Sequence, residues 1–133
     1  MKSLLLSVLV AALLFPLNAA ALQYYTFYAE CNLALIDTFT HTSTGIGSLE
    51  EWSVEAMDYG PDGLLYATVE AGCHVHGNAD TLAVIDPETL TVYPIGPIGF
   101  DDVDALAFSP SGELFAVSMA SFALIRIDPA TGA

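Results

Sequence analysis

An internal repeat constrains the fold of this chain more than any other feature of its sequence. Residues 54–67 align without gaps on residues 103–116, at a spacing of 49. Each copy alternates apolar and polar residues, contains a Pro-x-Gly turn and ends in an aromatic residue followed by alanine. This pattern predicts two β-strands joined by a tight turn, because proline presets φ and glycine accepts the positive φ that follows.

Other segments repeat as well. Residues 82–89 resemble residues 124–131, and both are apolar runs that stop at Asp-Pro-x-Thr, where Asp86 and Asp128 are expected to cap the turn. A weaker third copy aligns residues 27–29 with 65–67, residues 36–37 with 85–86, and residues 46–47 with 95–96. Only the connection between the second and third strands of a unit varies in length.

Four short strands in each period of about 40 to 50 residues are typical of β-propeller blades. The sequence therefore predicts an all-β chain of about two and a half four-stranded antiparallel propeller-type blades. The predicted partial propeller covers residues 22–133, with units at about 22–50, 51–100 and 101–133. The first unit lacks its first strand, and the third unit lacks its fourth.

The repeated pattern, V-x-A-L-A-F-S-P-S-G-E-L-F-A-V followed by L-I-R-I-D-P-A-T-G, resembles the repeats of secreted bacterial β-propellers. That broad group includes quinoprotein-dehydrogenase-like and lactonase-like proteins, and the resemblance covers residues 24–133. It implies that the variable connections and the connections between units lie on one face, where such proteins bind ligands. The matching residues are strand and turn positions, so the resemblance specifies architecture and not activity.

A propeller closes a ring of at least about four blades, which removes its exposed sheet edges. Two and a half blades leave three alternatives: a fragment of a longer protein, a ring assembled from copies, or an open stack. The fragment is the favoured one. Expressed alone, such a piece is expected to associate through open blade edges and faces.

The segment 1–21 has the features of a secretory signal peptide. Lys2 precedes an apolar run at residues 4–15, Pro16 ends the run, and residues 19–21 are alanines that suit a signal peptidase. An uncleaved N-terminal anchor is the alternative. Cleavage predicts a secreted or periplasmic protein with no membrane segment after processing.

The charge of the remaining chain is strongly negative. All 16 acidic residues follow position 21, whereas Arg126 is the one lysine or arginine that does, which leaves a net charge of −15. Such a field repels phosphate backbones and anionic lipids, so we expect no nucleic-acid partner and no membrane-surface role. Cations, basic partners and simple solubility remain compatible with it.

The longest variable connection, at residues 69–80, carries the candidate ligand-binding residues. Cys31 and Cys73 are candidates for one disulfide in an oxidising compartment, with free thiols or metal ligation as alternatives. His74, His76 and Asp80, with Cys73 and Glu70 nearby, offer zinc or copper ligands. The alternative is a hairpin loop whose two histidines are solvated.

The connections between units are acidic and provide a second candidate site. Glu50 and Glu51 precede the second unit, and Asp101 and Asp102 precede the third. Their carboxylates suit Ca²⁺ or another divalent metal, although no Asp-x-Asp-x-Asp-Gly loop is present and plain surface charge is the alternative.

Catalytic motifs are missing from the sequence. Gly-x-Ser-x-Gly and P-loop patterns do not occur, and no lysine follows Lys2. We therefore expect a non-catalytic module that binds a protein, a small ligand or a cation at the loop face. The alternative is a fragment of a quinoprotein-like or lactonase-like enzyme whose catalytic residues lie outside this chain.

Overall fold

The computed structural model describes residues 23–73 and 77–133, and these residues form ten β-strands and no helix. The predicted signal peptide therefore lies outside the described residues. In the described part of the chain, no helix is long and apolar enough to span a bilayer. The strands are β1 (Gln23–Tyr28), β2 (Asn32–Asp37), β3 (Thr42–Ser48), β4 (Trp52–Tyr59), β5 (Leu65–Ala71), β6 (Thr81–Asp86), β7 (Thr91–Pro97), β8 (Val103–Phe108), β9 (Leu114–Ser118) and β10 (Ala123–Ile127).

The strands form three antiparallel sheets in which neighbours along the chain are neighbours in the sheet. Sheet 1 has the order β1-β2-β3, sheet 2 has the order β4-β5-β6-β7, and sheet 3 has the order β8-β9-β10. The prediction of an all-β chain is confirmed. The strands predicted at residues 54–67 and 103–116 correspond to β4 with β5 and to β8 with β9.

The turns have the conformations that their residues predict. Gly63 and Gly112 have φ of 82° and 85°, and each donates its N–H to a carbonyl three positions earlier, at 2.9 Å. In the Asp-Pro-x-Thr turns, Oδ1 of Asp86 and of Asp128 accepts a hydrogen bond of 2.9 Å from the N–H two positions later. These bonds satisfy the backbone as the strands reverse, which is why the strands end there.

Four β-bulges occur at equivalent positions of the repeat. Ile46 is the extra residue on β3, opposite Leu33 and Ala34 of β2, and Ile95 is the extra residue at the equivalent place on β7. The register also shifts at Glu55 on β4 and at Asp104, the counterpart of Glu55 in the repeat, on β8. A bulge adds an unpaired residue and increases the local twist. Sheets with bulges at matching places therefore bend in matching ways.

The alignment of residues 27–29 with residues 65–67 is wrong by three positions. Tyr24 pairs with Ile36, and Leu65 pairs with Ile85, so Tyr24 occupies the position of Leu65. Ala29 lies in a turn, with φ of 46°, and not in a strand. An odd shift exchanges the two faces of a strand. The connection after β1 is much shorter than the one after β5. Residues 27–29 therefore resemble residues 65–67 in sequence but do not occupy the same positions in the sheet.

Two apolar layers hold the three sheets together. One layer, between sheets 1 and 2, includes Leu65, Val69 and Ile85, against which Tyr25 and Phe27 pack. The other lies between sheets 2 and 3; its central residues are Leu82, Val103, Leu106, Leu114, Ile125 and Ile127. Sheet 2 is therefore apolar on both faces. Any polar side chain that is buried on sheet 2 consequently lies between two sheets.

Candidate functional site: a buried carboxylate cluster

Three carboxylates converge where sheets 2 and 3 meet. Glu55 lies on β4, Glu70 lies near the end of β5, and Asp80 immediately precedes β6. One oxygen atom of each group lies within 4.8 Å of an oxygen of the other two. We call these three residues the carboxylate cluster.

Local structure explains why each side chain points inward. Glu55 is the extra residue of the β4 bulge, since Val54 pairs with Val69 and Ala56 pairs with Thr68. Glu70 lies two positions after Thr68 and shares its side of the strand. The Thr68 hydroxyl donates to the Val103 carbonyl at 2.9 Å, so this side of β5 faces sheet 3.

Asp80 is the group that is held most firmly. Its carbonyl accepts a hydrogen bond of 2.9 Å from the Ile98 N–H, and its own N–H donates to the Phe100 carbonyl at 3.4 Å. Its carboxylate Oδ2 accepts a hydrogen bond of 2.7 Å from the Val103 N–H at the start of β8. The side chain of Asp80 therefore bonds to sheet 3, and its backbone bonds to the connection between β7 and β8.

Several oxygens in the cluster are buried without a hydrogen-bond partner. Glu70 is 1% exposed and Asp80 is fully buried, yet Glu70 Oε2 and Asp80 Oδ1 have no partner among the described residues. Glu55 Oε2 and the nearby Ser53 hydroxyl oxygen are also buried without a hydrogen-bond partner among the described residues. An unpaired buried carboxylate oxygen is costly, because the protein does not replace the water that it loses.

Burial and mutual repulsion change the protonation of the cluster. Burial, followed by the charges of Asp80 and Glu70, raises the pKa of Glu55 to about 7. Burial also raises the pKa of Asp80 to about 6, although the Val103 N–H opposes this shift. Arg126, the one lysine or arginine in the described residues, forms an exposed ion pair with Glu113 at 3.4 Å. No lysine or arginine of the described residues therefore neutralises the cluster.

Without a bound cation, the free energy of unfolding is expected to fall as pH rises from about 4.5 to about 7. A carboxyl group with a raised pKa binds its proton more tightly in the folded chain, so it stabilises the fold below the unfolded pKa of about 4. That contribution is lost as pH rises through the folded values of about 6 and about 7. Hydrogen bonds in the turns, chiefly from the Thr40 N–H to Asp37 and from the Thr89 side chain to Asp86, lower the pKa of both carboxyl groups, which therefore titrate below this range.

Urea unfolding between pH 4.5 and pH 8, in the presence of a chelator, measures this dependence. Glu55→Gln should flatten the upper part of the profile, whereas Glu88→Gln, at an exposed turn position, should not change it. Constant or rising stability over this interval in the unsubstituted chain would contradict the expectation.

The structure joins Cys31 and Cys73 in a disulfide whose Cα atoms are 5.6 Å apart. The bond attaches the connection after β5 to the turn after β1, and it therefore links sheet 2 to sheet 1. Because both sulfurs are bonded to each other, Cys73 is not a thiolate ligand. His74 and His76 lie outside the described residues, and their proposed metal role stays a prediction.

The acidic connections differ in their relation to the carboxylate cluster. Asp101 and Asp102 directly follow Phe100, whose carbonyl accepts the Asp80 N–H, and their charges contribute to the raised pKa of Asp80 after its burial and the charge of Glu70. Glu50 and Glu51 line a separate surface groove with residues 89–92. Glu50 and Glu51 thus lie apart from Asp80, and the predicted cation sites at the acidic connections and at His74, His76 and Asp80 stay predictions.

Sequence analysis did not select Glu55, although a signal was present. Glu55 is an acidic residue between two apolar ones, Val54 and Ala56, and Asp104 occupies the matching place in the other copy of the repeat. An acidic residue retained at an interior strand position indicates a bulge or a buried site. The convergence of three strands cannot be read from that position alone.

Comparison with known proteins does not assign this chain to a family. No protein-family model matches the chain, and no curated protein matches it.

Proposed function

We propose that this chain is a non-catalytic, secreted β-propeller-type module that binds Ca²⁺ at the carboxylate cluster. The observation that carries the proposal is the convergence of Glu55, Glu70 and Asp80, with buried oxygens that have no partner in the described residues. The bound cation would stabilise the contact between sheets 2 and 3. The neighbouring loops would then be fixed for a protein or small-molecule partner.

The chemistry of the cluster favours Ca²⁺ over other divalent metals. All three side chains offer carboxylate oxygens, the hard ligands that Ca²⁺ and Mg²⁺ prefer. Ca²⁺ binds oxygens at about 2.3–2.6 Å, so ligands on opposite sides of the ion are about 5 Å apart; for Mg²⁺ this distance is about 4 Å. The three oxygens all lie within 4.8 Å of one another, a bound that allows a single Ca²⁺ to contact all of them. Water would complete the six to eight ligands.

The recurrent geometry of the sheets supports a propeller-type arrangement. Bulges lie at equivalent positions of the repeat in both pairs of sheets, and the Pro-x-Gly turns have matching hydrogen bonds. β4 and β8, the first strands of sheets 2 and 3, lie side by side. Radially packed blades place their first strands together in this way, around a common axis.

Secretion is supported by the signal-like segment 1–21, and a disulfide is compatible with it. Extracellular Ca²⁺ modules bind with dissociation constants of about 10⁻⁴ to 10⁻³ M, which suits a site with only three protein carboxylates.

Thermal unfolding with and without Ca²⁺ tests the proposal. At a concentration about 100 times the dissociation constant, Ca²⁺ should stabilise the fold by about 2.7 kcal/mol, which corresponds to a rise in Tm on the order of 10 °C. Calorimetric titration of the chelator-treated chain should give one site. An unchanged Tm in the unsubstituted chain, with no heat of binding, would overturn the proposal.

Matched variants locate the site. Glu70→Gln and Asp80→Asn should abolish the effect of Ca²⁺, and the asparagine retains an acceptor for the Val103 N–H. Glu70→Gln should also stabilise the metal-free chain, because it removes one of three repelling charges. Glu88→Gln, an exposed substitution of the same type, should respond to Ca²⁺ as the unsubstituted chain does. Replacing Ca²⁺ with Zn²⁺ and altering His74 and His76 tests the histidine hypothesis separately.

A further inference from the structure

Sheet 3 has one covered face and one open apolar face. Ala116, Ile125 and Ile127 pack toward sheet 2. The residues that alternate with these, on the opposite side, form a shallow apolar groove; they are Ala105, Ala107, Phe115, Val117 and Leu124. Leu124 is 73% exposed. We call this surface the open face of sheet 3.

The open face of sheet 3 has the same residue pattern as the face of sheet 2 that packs against sheet 3. In the repeat, the counterparts of Ala105 and Phe115 on β4 and β5 are Ala56 and Tyr66, and both belong to the layer between sheets 2 and 3. The counterpart of Leu124 is Leu82, which is completely buried in that layer. The same pattern is thus covered on sheet 2 and uncovered on sheet 3.

Sheet 1 offers the complementary surface. Tyr25 and Phe27 face sheet 2, so their neighbours Tyr24 and Tyr28 lie on the opposite side, and Tyr24 pairs there with Ile36. Both tyrosines are 50% exposed. We call this surface the open face of sheet 1. By strand pairing, its residues correspond to Leu65, Val69 and Ile85 of sheet 2, which pack on sheet 1.

One copy therefore presents the two halves of a contact that the chain already makes twice internally. We propose that two copies associate head to tail, with the open face of sheet 3 of each copy packed on the open face of sheet 1 of the other. This contact would repeat the packing of sheet 2 on sheet 1 and of sheet 3 on sheet 2. Six sheets then close a ring, within the four to eight blades that propellers contain.

Charge is compatible with the contact. Arg126 pairs with Phe115 across β9 and β10, so it lies on the open face of sheet 3, where its side chain is 71% exposed. It is the only lysine or arginine in the described residues. The proposed contact thus places Arg126, together with its ion-pair partner Glu113, against the other copy.

Sedimentation velocity of the purified chain, with single and mixed variants, tests this arrangement. The unsubstituted chain should sediment at twice the mass of one copy. Leu124→Glu and Tyr24→Glu should each sediment as monomers and raise the dissociation constant at least about 30-fold, since a charge is buried in a central contact. Phe39→Glu, at a 72% exposed turn position outside both faces, should remain a dimer.

The mixture of the two variants distinguishes this contact from others. Leu124→Glu retains an intact face on sheet 1, and Tyr24→Glu retains one on sheet 3, so an equimolar mixture should form a heterodimer. A symmetric contact between like faces would not give this result. If circular dichroism shows that a glutamate variant is unfolded, Leu124→Ala and Tyr24→Ser replace that pair. An unsubstituted chain that stays monomeric at the highest concentration the method allows, or variants that associate as it does, would overturn the proposal.

Discussion

Replacing Cys31 and Cys73 together with serine is expected to lower the free energy of unfolding by about 4 kcal/mol. The disulfide closes a loop with a sequence separation of 42, and in the chain-entropy estimate a loop of this length restricts the unfolded chain by about that amount. The loop contains β2, β3, β4 and β5, so the bond limits the relative freedom of sheets 1 and 2. Cys31 is fully buried, and serine there adds the cost of a polar group.

Urea unfolding of the oxidised chain, the reduced chain and the double serine variant measures this contribution. Ser48→Ala, near the Cys31 carbonyl but not part of the bond, serves as a control for local disturbance. The double variant should also bind Ca²⁺ more weakly, because the connection between Glu70 and Asp80 is no longer attached to sheet 1. A loss of less than about 1 kcal/mol would show that the bond does not restrict the unfolded chain as expected.

Leu82→Ala is expected to cost about 2–5 kcal/mol, the range for deleting a buried leucine side chain. Leu82 is fully buried at the centre of sheet 2 and belongs to the layer that joins sheets 2 and 3. Its removal leaves a cavity between rigid strands that cannot collapse into it. The substitution should therefore weaken the contact on which the carboxylate cluster depends.

The midpoint of urea unfolding and its slope give the result for Leu82→Ala. Leu64→Ala removes the same atoms at a position that is 48% exposed, and it should change stability by less than about 1 kcal/mol. Equal effects at the two positions would mean that the layer between sheets 2 and 3 does not form as described.

The sequence predicted the strands well where a pattern is local. The Pro-x-Gly turns, the aspartate caps and the alternation in β4, β5, β8 and β9 depend on residues within a few positions of one another, so the sequence carries them directly. The weak match at residues 27–29 failed because strand pairing depends on a partner strand and on the length of the connection between them. The length of the connection is known only once the ends of the two paired strands are known.

The carboxylate cluster shows the same division between local and distant information. The sequence indicates Asp80 and Glu70 as candidate ligands because they lie in one variable connection. It indicates Asp101 and Asp102 because they lie between two units of the repeat. Glu55 joins them only because a bulge on β4 turns its side chain toward β5 and β6. The backbone geometry of three strands decides that convergence, and no spacing along the chain encodes it.

By itself, the sequence determined that this chain forms short antiparallel strands, carries a large negative charge and repeats one pattern at a spacing of 49. Tertiary structure alone decided which carboxylates become neighbours and which apolar faces stay open. The physical reason is that turn and strand preferences act over a few residues. Burial and charge repulsion act through space, between groups that only the packing of the sheets brings together.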